Sequence, residues 1–320
     1  MKANKTVEAP ALKPRGDVTF LERVYRDRWY LGFLLPAAIL LILFCYMPMY
    51  GLLIAFQDYK IGAPMLAFDG SINWVGLGNF KEFFNSVFSK RVITNTLRLS
   101  IKFLIYGGWV SPVVALLLNE IRVSWVKRSL QTSYYLPYFI SSAIVVSVMT
   151  MLVGAKGPIG MIPKFFGGKA VNFMNSAAAF DNLYVISGIW SGFGYSSIMY
   201  MAAISTVNVQ LYEAVEIDGG NRFHRMLHVT IPAILPTFCI LLILQVGGLM
   251  NSSFEKIYLM YNTYTMERAD TIGTYVYRVG LQDARYSYTA AVGMFANVIN
   301  FILVWGANWV SNKVTASGLW

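Results

Sequence analysis

Six long apolar runs, separated by more polar connections, dominate the pattern of hydrophobic and polar positions along the chain. A helix needs roughly 20 apolar residues to cross the hydrocarbon core of a bilayer. Six stretches come close to that length, and we place the spans near residues 31–56, 95–118, 136–153, 183–207, 233–251 and 289–309. The pattern predicts an all-α integral membrane protein built as a six-helix transmembrane bundle.

Composition strengthens the membrane interpretation. Of the 320 residues, 56% are hydrophobic and only 13% are charged, whereas a soluble domain carries roughly 25% charged residues. The formal net charge is +10. In a membrane protein, a basic excess is typical of cytoplasmic loops and of contact with anionic lipid, so we do not infer a nucleic-acid partner.

Basic residues close to the apolar runs predict the orientation. Residues 1–30 form a basic segment that we interpret as a cytoplasmic tail, and residues 31–320 form the membrane domain. The flanking basic residues are Arg23, Arg26 and Arg28 before the first run and Arg122, Lys127 and Arg128 after the second. Because cytoplasmic loops are enriched in Lys and Arg, we expect both termini in the cytoplasm.

The predicted spans hold few ionisable side chains. They contain no Asp, Glu or His, and only Arg98 and Lys102 lie inside one, four residues apart in the second span. Each would cost about 2.5–3.5 kcal/mol at mid-bilayer, so we expect both to snorkel outward or to line a wet cavity. Without an intramembrane carboxylate, a proton-coupled transporter is disfavoured.

The sequence lacks the short motifs of ATP hydrolysis and metal chemistry. It has no phosphate-binding G-x-x-x-x-G-K-[ST] loop, no Ser/His/Asp constellation and no His/Cys cluster. We therefore expect a chain that is not an enzyme and holds no metal or cofactor of its own. If it drives transport, the energy must come from another polypeptide. An ion-coupled secondary transporter and a non-transporting membrane protein remain alternatives.

Two features have more than one interpretation. The tyrosine-rich connection 252–288 is either a face that meets an external partner or a cap packed over the bundle. Gly188 and Gly192 form a G-x-x-x-G pair in the fourth run, which favours close helix packing. The neighbouring Trp190 and Tyr195 suit stacking against a sugar face instead.

The connection at residues 211–236 carries the most specific pattern. Leu211–Ile217 suits a short amphipathic helix, and the double glycine 219–220 ends it, because glycine adopts a left-handed conformation without steric cost. A second helical pattern follows, which Pro232 and Pro236 bend into the fifth span. This helix–turn–helix is suited to insertion into a groove on a partner. Its charged residues are Glu213, Glu216, Asp218, Arg222 and Arg225.

This loop resembles the signature of the permease subunits of type I ABC importers. That signature is E-A-x-x-x-D-G-[AG], followed about nine residues later by I-x-[IL]-P and a further proline. The matching residues are Glu213, Ala214, Asp218, Gly219, Gly220, Val229, Ile231, Pro232 and Pro236. The sequence departs mildly at three positions: Val215 and Gly220 stand where the family has Ala, and Val229 stands where it has Ile.

The resemblance extends over nearly the whole chain. Segments within residues 35–59 are similar to the first span of this family, and residues 74–80 are similar to its V-G-L-x-N-F external segment. Residues 275–281 and 318–320 resemble the subgroup that handles oligosaccharides from complex polysaccharides such as pectin or alginate.

The resemblance implies that the chain is one half of a heterodimeric permease in the inner, or plasma, membrane of a bacterium. Two cytoplasmic ABC ATPase subunits, which use ATP and magnesium, would dock on the signature loops. A solute-binding protein would deliver the oligosaccharide from outside, and ATP-driven closure of the ATPases would alternate the access of the pathway. The implied coupling residues are Glu213, Ala214, Glu216, Asp218, Gly219, Gly220 and Arg222.

Polar and aromatic residues at pathway depth are the candidates for contact with the sugar, since sugar sites combine aromatic platforms with amide and hydroxyl groups. The candidates are Trp190, Tyr195, Ser196, Tyr200, Gln245, Asn251, Asn297 and Asn300. Most polar residues within spans bond a neighbouring helix instead. The basic excess suits an acidic oligosaccharide, such as a fragment of alginate or pectin, but lipid contact explains it equally well.

Overall fold

The structure, a computed structural model, describes residues 25, 27–65, 72–315 and 318–320, with the backbone alone at 314 and 315. The predicted basic tail therefore lies almost entirely outside the described residues. Within them, helices are the only regular elements apart from an isolated antiparallel bridge between Gln57 and Trp74. The all-α prediction is confirmed.

The chain divides into two compact units, residues 1–53 and 54–320. In the first unit, helix α1 spans Arg28–Leu41 and is followed by a π-helical turn at Ile42–Tyr46. A 3₁₀ helix, Met47–Phe56, comes next and continues past the end of this unit. Helix α1 buries none of its residues, and its large apolar side chains are exposed all round. A helix that faces lipid needs such a surface.

The second unit contains the remaining helices. They are α2 (Gly78–Asn85), α3 (Val87–Gly107), α4 (Val110–Asn119), α5 (Ser124–Tyr135), α6 (Ser142–Val153), α7 (Pro158–Phe165), α8 (Ala177–Ser205), α9 (Val209–Ile217), α10 (Arg222–Arg225), α11 (Ile231–Val246), α12 (Phe254–Met260), α13 (Met266–Ala269), α14 (Ile272–Val276) and α15 (Tyr286–Thr315).

Among the described residues, five helical stretches are long and apolar enough to cross a membrane. They are Arg28–Phe56, Val87–Asn119, Ser142–Phe165, Arg222–Val246 and Tyr286–Lys313, and they overlap five of the six predicted spans. The fourth predicted span, 183–207, falls on α8. The 29 residues of α8 correspond to about 43 Å of helix, but its composition is less apolar. The sixth span therefore stays a prediction.

Capping residues move some helix ends away from the edges of the apolar runs. The second stretch begins at Val87, before the predicted start, because the Ser86 side chain accepts a backbone hydrogen bond there. The third begins at Ser142, later than predicted, because Leu136–Phe139 is a 3₁₀ turn and Ser141 caps the next helix. Polar residues thus fix the ends of the apolar helices.

Helix α8 organises the packing of the second unit, where it contacts α3, α4 and α11. The first half of α8, which includes Phe180, packs in an apolar cluster with Leu99. Its second half, which includes Tyr200, packs in another cluster with Ala115 and Ile234. A third cluster, which includes Phe83 and Val292, joins α2 and α3 to α14 and α15. Helices α12–α14 contribute buried residues to these clusters, which favours the packed-cap interpretation of connection 252–288.

Among the three glycines of α8, Gly194 has the closest backbone neighbour, and neither glycine of the G-x-x-x-G pair approaches another backbone as closely. A Cβ atom on Gly194 would overlap the carbonyl oxygen of Tyr134, at the end of α5. At Gly192 the surrounding space is open, whereas a Cβ on Gly188 would lie 2.9 Å from the ring of Phe103. Gly188 and Gly192 therefore do not act together as one helix-packing surface, and Gly194 provides the close contact.

Candidate functional site

The loop between α8 and α11 begins with a well-defined short helix, as predicted. Asn208 caps α9 by accepting a hydrogen bond from the Gln210 backbone N–H, at 3.0 Å. The helix ends at Ile217, and Gly219, two residues further on, has a φ of +78°, the left-handed conformation. The Gly219 N–H donates to the Glu216 carbonyl oxygen and the Gly220 N–H to that of Val215, at 3.1 and 2.8 Å, so the turn satisfies the last carbonyls of α9.

The second half of the loop leads into α11 without a break. Asn221 and His224 cap α10 reciprocally. After Arg225 the helix widens into a π turn, in which the Ile231 N–H donates to the Met226 carbonyl five residues back. A proline cannot donate to the helix ladder, and Pro232 lies two residues after the end of this wider turn. The π turn and both prolines lie within one continuous helix, Arg222–Val246, and the predicted bend at the prolines stays a prediction.

Two contacts join the halves of the loop into one rigid unit. The guanidinium of Arg225 forms an ion pair with the Glu216 carboxylate across the turn. The Tyr212 hydroxyl lies 3.2 Å from the Thr230 Oγ1, within hydrogen-bond distance. We call residues 209–230 the projecting loop, and both contacts lie within it.

The residues predicted to couple to a partner lie on the surface of the projecting loop. Glu213, Ala214, Glu216, Asp218, Gly219 and Arg222 are exposed, and Gly220 is half-buried. Two large apolar side chains are exposed beside them, Ile217 at 86% and Phe223 at 61%. An exposed apolar patch rimmed by charges is typical of a protein–protein contact surface.

The opposite end of α8 carries a buried carboxylate, Asp181, that is 1% exposed. Its Oδ2 lies 2.6 Å from the Lys102 Nζ, 3.0 Å from the Arg98 Nε and 3.7 Å from Arg268 Nη1. Both side chains keep contact with solvent, at 26% and 36% exposed, so the expectation that Arg98 and Lys102 snorkel outward or line a wet cavity stays a prediction. Both side chains bind Asp181. The predicted fourth span began at residue 183 and therefore left Asp181 out, whereas α8 begins at Ala177.

A second buried carboxylate, Asp270, has the same kind of environment. It is 0% exposed, and its Oδ2 lies 2.6 Å from the Arg91 Nη2 and 3.0 Å from the Arg278 Nη2. Its backbone oxygen accepts a hydrogen bond from the Asn95 side chain at 2.9 Å. These contacts tie the short helices α13 and α14 to α3, so the two carboxylates stabilise one end of the bundle.

A cavity of about 320 Å³ with mixed polar and apolar lining lies between α3, α6, α8 and the chain that follows α11. Hydroxyl and amide groups line it at Ser100, Ser142, Ser191, Gln245, Asn251 and Ser252. Tyr184 and Phe103 provide aromatic surface. This combination of hydrogen-bonding groups with aromatic faces is the one expected of a sugar site.

Lys256 of α12 also lines this cavity and is only 6% exposed. Its Nζ donates to the Tyr184 carbonyl oxygen at 3.3 Å and lies 5.5 Å from the Tyr184 ring centroid. Lys256 is outside the five membrane-crossing stretches. Burial lowers the pKa of Lys256 to about 8, because desolvation disfavours the charged amine.

The structure brings two of the predicted pathway residues together in the cavity, Gln245 and Asn251. Tyr200 lies in an apolar cluster, and the Asn300 side chain accepts a hydrogen bond from the Met250 N–H at 2.9 Å. The others lie elsewhere: Trp190 and Asn297 are exposed, Ser196 is half-buried, and Tyr195 stacks on Tyr138 with ring centroids 4.0 Å apart.

The residues that can hold a metal ion are few. Within the described part of the chain, no group of three or more His, Cys, Asp or Glu side chains is arranged to bind one. The two buried carboxylates, Asp181 and Asp270, are each bound by at least two cationic side chains.

Fold and site together define a class: a helical membrane protein with a polar cavity at one end of its central helix and a rigid, charged projection at the other. Residues 92–316 match the model of the family described as "binding-protein-dependent transport system inner membrane component". The chain belongs to this family of ABC importer permeases, and the resemblance noted in the projecting loop is confirmed.

Relatives and solved structures cover nearly the whole chain. It is 38% identical to LplB of Bacillus subtilis (strain 168) over 316 residues, 98% of each protein. It is also 38% identical to the B. subtilis "polygalacturonan/rhamnogalacturonan transport system permease protein YteP" over 315 residues, 98% of this chain and 97% of the other. A chain in a crystal structure of a bacterial alginate ABC transporter, in complex with an alginate pentasaccharide-bound periplasmic protein, superposes with a TM-score of 0.83. The two are 35% identical, and the match covers 94% of this chain and 99% of the other.

Proposed function

We propose that this chain is the permease subunit of an ABC importer that moves oligosaccharides, including acidic ones such as alginate or pectin fragments, into the cytoplasm. The projecting loop is the observation that carries the proposal. Its short helices are fixed to each other by the Glu216–Arg225 ion pair and the Tyr212–Thr230 contact. A rigid element of this kind transmits a partner's movement to the helix α11 with which it is continuous.

The partner of the projecting loop is an ATPase subunit, which binds ATP and magnesium. Exposed acidic residues, Glu213 and Asp218, lie beside the apolar Ile217 and Phe223, a surface suited to a groove on a partner. This chain itself is not the ATPase. The whole complex has two permeases, forming a heterodimer, two ATPases in the cytoplasm and a solute-binding protein outside. Both termini of this chain and its projecting loop then face the cytoplasm.

The substrate class follows from the relatives and from the cavity. One relative's name specifies polygalacturonan and rhamnogalacturonan, and the solved neighbour transports alginate. The hydroxyl, amide and aromatic groups around the cavity of this chain suit sugar units. The buried Lys256 adds a positive charge, which suits an acidic unit.

An ion-coupled secondary transporter is the main competing function. Such a protein needs an ionisable group in its pathway that a coupling ion occupies and leaves. The described residues include two buried carboxylates, Asp181 and Asp270. Each forms ion pairs with arginine or lysine side chains. Each carboxylate is already neutralised by at least two cationic side chains, which disfavours a coupling cation at either position and favours the ATP-driven mechanism.

Purification of the tagged chain in mild detergent tests the proposal. We expect a second permease and an ATPase to co-purify and the complex to hydrolyse ATP. The complex should also be reconstituted in liposomes, with its solute-binding protein outside. It should then take up oligosaccharide only when ATP is present in the liposome lumen, on the side of the ATPase subunits. A chain that repeatedly purifies alone, or substrate accumulation after removal of the ATPase, would contradict the proposal.

A further inference from the structure

Lys256 differs from the other partly or fully buried cations of the second unit. Arg91, Arg98, Lys102 and Arg278 each lie within 3.0 Å of a carboxylate oxygen. Lys256 is more buried than any of them, and none of the described carboxylates lies within ion-pair distance of its amine. Its one hydrogen bond goes to the neutral carbonyl of Tyr184.

The neighbouring acid does not neutralise this charge. Glu255 precedes Lys256 in the chain, but its side chain is exposed and accepts a hydrogen bond from the Ser142 hydroxyl at 3.2 Å. A charged amine that is buried without a counter-charge is costly, because the interior does not replace its hydration. A ligand that brings a negative charge to the amine would remove that cost.

The structure leaves room for such a ligand beside the amine. Lys256 lines the 320 Å³ cavity together with Ser142, Ser191 and Ser252. The Ser142 hydroxyl donates to the Glu255 carboxylate and that of Ser191 to the Ser187 carbonyl oxygen. The Ser252 hydroxyl is itself buried without a hydrogen-bond partner. The cavity is at the lower end of the range for ligand pockets, roughly 300–1,000 Å³, so it suits one unit of a longer chain.

Gly188 keeps the space around the amine open. A Cβ atom at this position would lie 3.4 Å from the Lys256 Nζ and 2.9 Å from the Phe103 ring. A larger residue would therefore crowd the amine and the aromatic wall together. Phe103 and Tyr184 present apolar surface next to the charge, a pairing that suits a sugar ring bearing a carboxylate.

We propose that Lys256 is the specificity-determining residue of this cavity and binds the carboxylate of a uronic acid unit during transport. This inference rests on the proposed function, since it assigns a contact within the same pathway. The Ser252 hydroxyl and the side chains of Gln245 and Asn251 supply hydrogen bonds to the sugar hydroxyls. The charge pair selects acidic oligosaccharides over neutral ones of the same size.

The test compares trigalacturonate with its fully methyl-esterified form in the complete reconstituted complex. We expect the wild type to take up the acid in preference to the ester. In Lys256→Met, which keeps the length and apolar contacts of the side chain, uptake of the acid should fall by roughly 10- to 100-fold, the loss expected for a hydrogen bond between charged groups. Uptake of the ester should be unchanged or higher.

Two further variants keep the test decisive. Lys256→Arg retains the charge and should recover part of the preference for the acid. Lys169→Met removes an exposed lysine outside the cavity and should behave as the wild type. Assembly with the ATPase and basal ATP hydrolysis, measured for every variant, separate loss of folding from loss of selectivity.

The outcomes separate this inference from the proposed function. If the wild type takes up trigalacturonate and Lys256→Met does so equally well, the role of Lys256 is overturned and the importer remains. If Lys256→Met loses uptake of acid and ester equally while it still assembles, the residue does not select charge and the inference is also overturned. If the wild type takes up neither probe, the acidic substrate class fails, and the inference fails with it.

Discussion

The two ends of α8 use charged residues in opposite ways. After the C-terminal end of α8, the projecting loop presents Glu213, Asp218 and Arg222 to solvent. Near its start, Asp181 is buried and bound by Arg98, Lys102 and Arg268, which come from two other helices. Exposed charges contribute little to stability but remain available to a partner, whereas buried pairs are costly to break. One end is therefore built for contact and the other for internal order.

The two ends also differ in how far apart their contacts lie in the sequence. In the projecting loop, the Glu216–Arg225 pair spans nine residues and the Tyr212–Thr230 contact spans 18. At the other end, the Lys102–Asp181 bond spans 79 residues. The loop is consequently a local structure that can form early and act as a unit, while the charge clusters exist only in the assembled bundle.

The largest effect is expected from removing a buried carboxylate. Asp270→Asn leaves Arg91 and Arg278 facing each other without their counter-charge. Breaking a buried pair costs about 3–5 kcal/mol, and we expect the lower end of that range because both arginines keep partial contact with solvent. Thermal unfolding of the purified chain in detergent should show a clear loss of stability.

The matched control for this variant is Glu82→Gln. It removes the carboxylate that pairs with Arg285, and both of those side chains are about half exposed. We expect a change of no more than about 1 kcal/mol there. Equal melting temperatures for the two variants would show that burial does not distinguish the buried pairs from the exposed ones.

At the other end, a change in the turn should disconnect transport from ATP without unfolding the protein. Gly219→Pro forbids the φ of +78° and removes the N–H that donates to Glu216. We expect ATP-driven uptake to fall by at least about tenfold, while thermal unfolding of the isolated chain changes little. Uptake by the reconstituted complex and melting in detergent are the two measurements.

Gly167→Pro is the matched control for the turn variant. Gly167 also follows a short helix, has a φ of +82° and donates its N–H to a carbonyl three residues back. It lies outside the projecting loop, so we expect normal uptake. If both variants lose uptake to the same degree, the effect belongs to any disturbed turn and not to coupling through the projecting loop.

The sequence predicted the projecting loop well because its determinants are local. The helix at 211–217, the stop at the double glycine 219–220 and the second helix all follow from short-range pattern, and the structure contains each. What the prolines do was less predictable: the π turn at Met226–Thr230 lies just before Pro232, and the helix continues past both prolines. The bend expected there stays a prediction.

The charge clusters and the cavity were less predictable. Asp181 interrupts the apolar run, so the predicted span began after it, although Ser176 is an N-cap residue that marks the true start of α8. Lys256 gave no local signal, because its burial depends on Tyr184, 72 residues away. Gln245 and Asn251 were found because polar residues are rare at the ends of apolar runs.

A moderate effect is expected where the projecting loop departs from the signature of its family. Val215 and Gly220 both replace an alanine, and a Cβ on Gly220 would lie 2.5 Å from the Val215 Cγ1 and 2.8 Å from its carbonyl oxygen. The Val215 side chain, which is larger than the alanine of the family, therefore occupies the space that a Cβ atom at residue 220 would need. Gly220→Ala should destabilise the loop by about 1–3 kcal/mol through overpacking, measured by hydrogen exchange of its amides.

The second substitution tests whether the two departures compensate each other. Val215→Ala in the Gly220→Ala background should recover about 0.5 kcal/mol or more of the loss. Recovery should be partial, because the Val215 carbonyl oxygen stays close to the new Cβ. Losses that simply add in the double variant would show that the two positions are independent.

The smallest effect is expected from the Glu216–Arg225 pair, and it separates two roles of Glu216. The Glu216 side chain is 55% exposed and that of Arg225 is 21% exposed, so losing the pair by Arg225→Met should cost the loop only about 0.2–1 kcal/mol.

Exchanging both residues, Glu216→Arg with Arg225→Glu, should restore hydrogen-exchange protection in the isolated chain. If Glu216 serves only to fix the turn, uptake by the complete complex recovers as well. If its carboxylate also contacts the ATPase, protection recovers while uptake stays low, because the exchange puts a positive charge on the docking surface. Unrestored protection would mean that the pair does not hold the two short helices together.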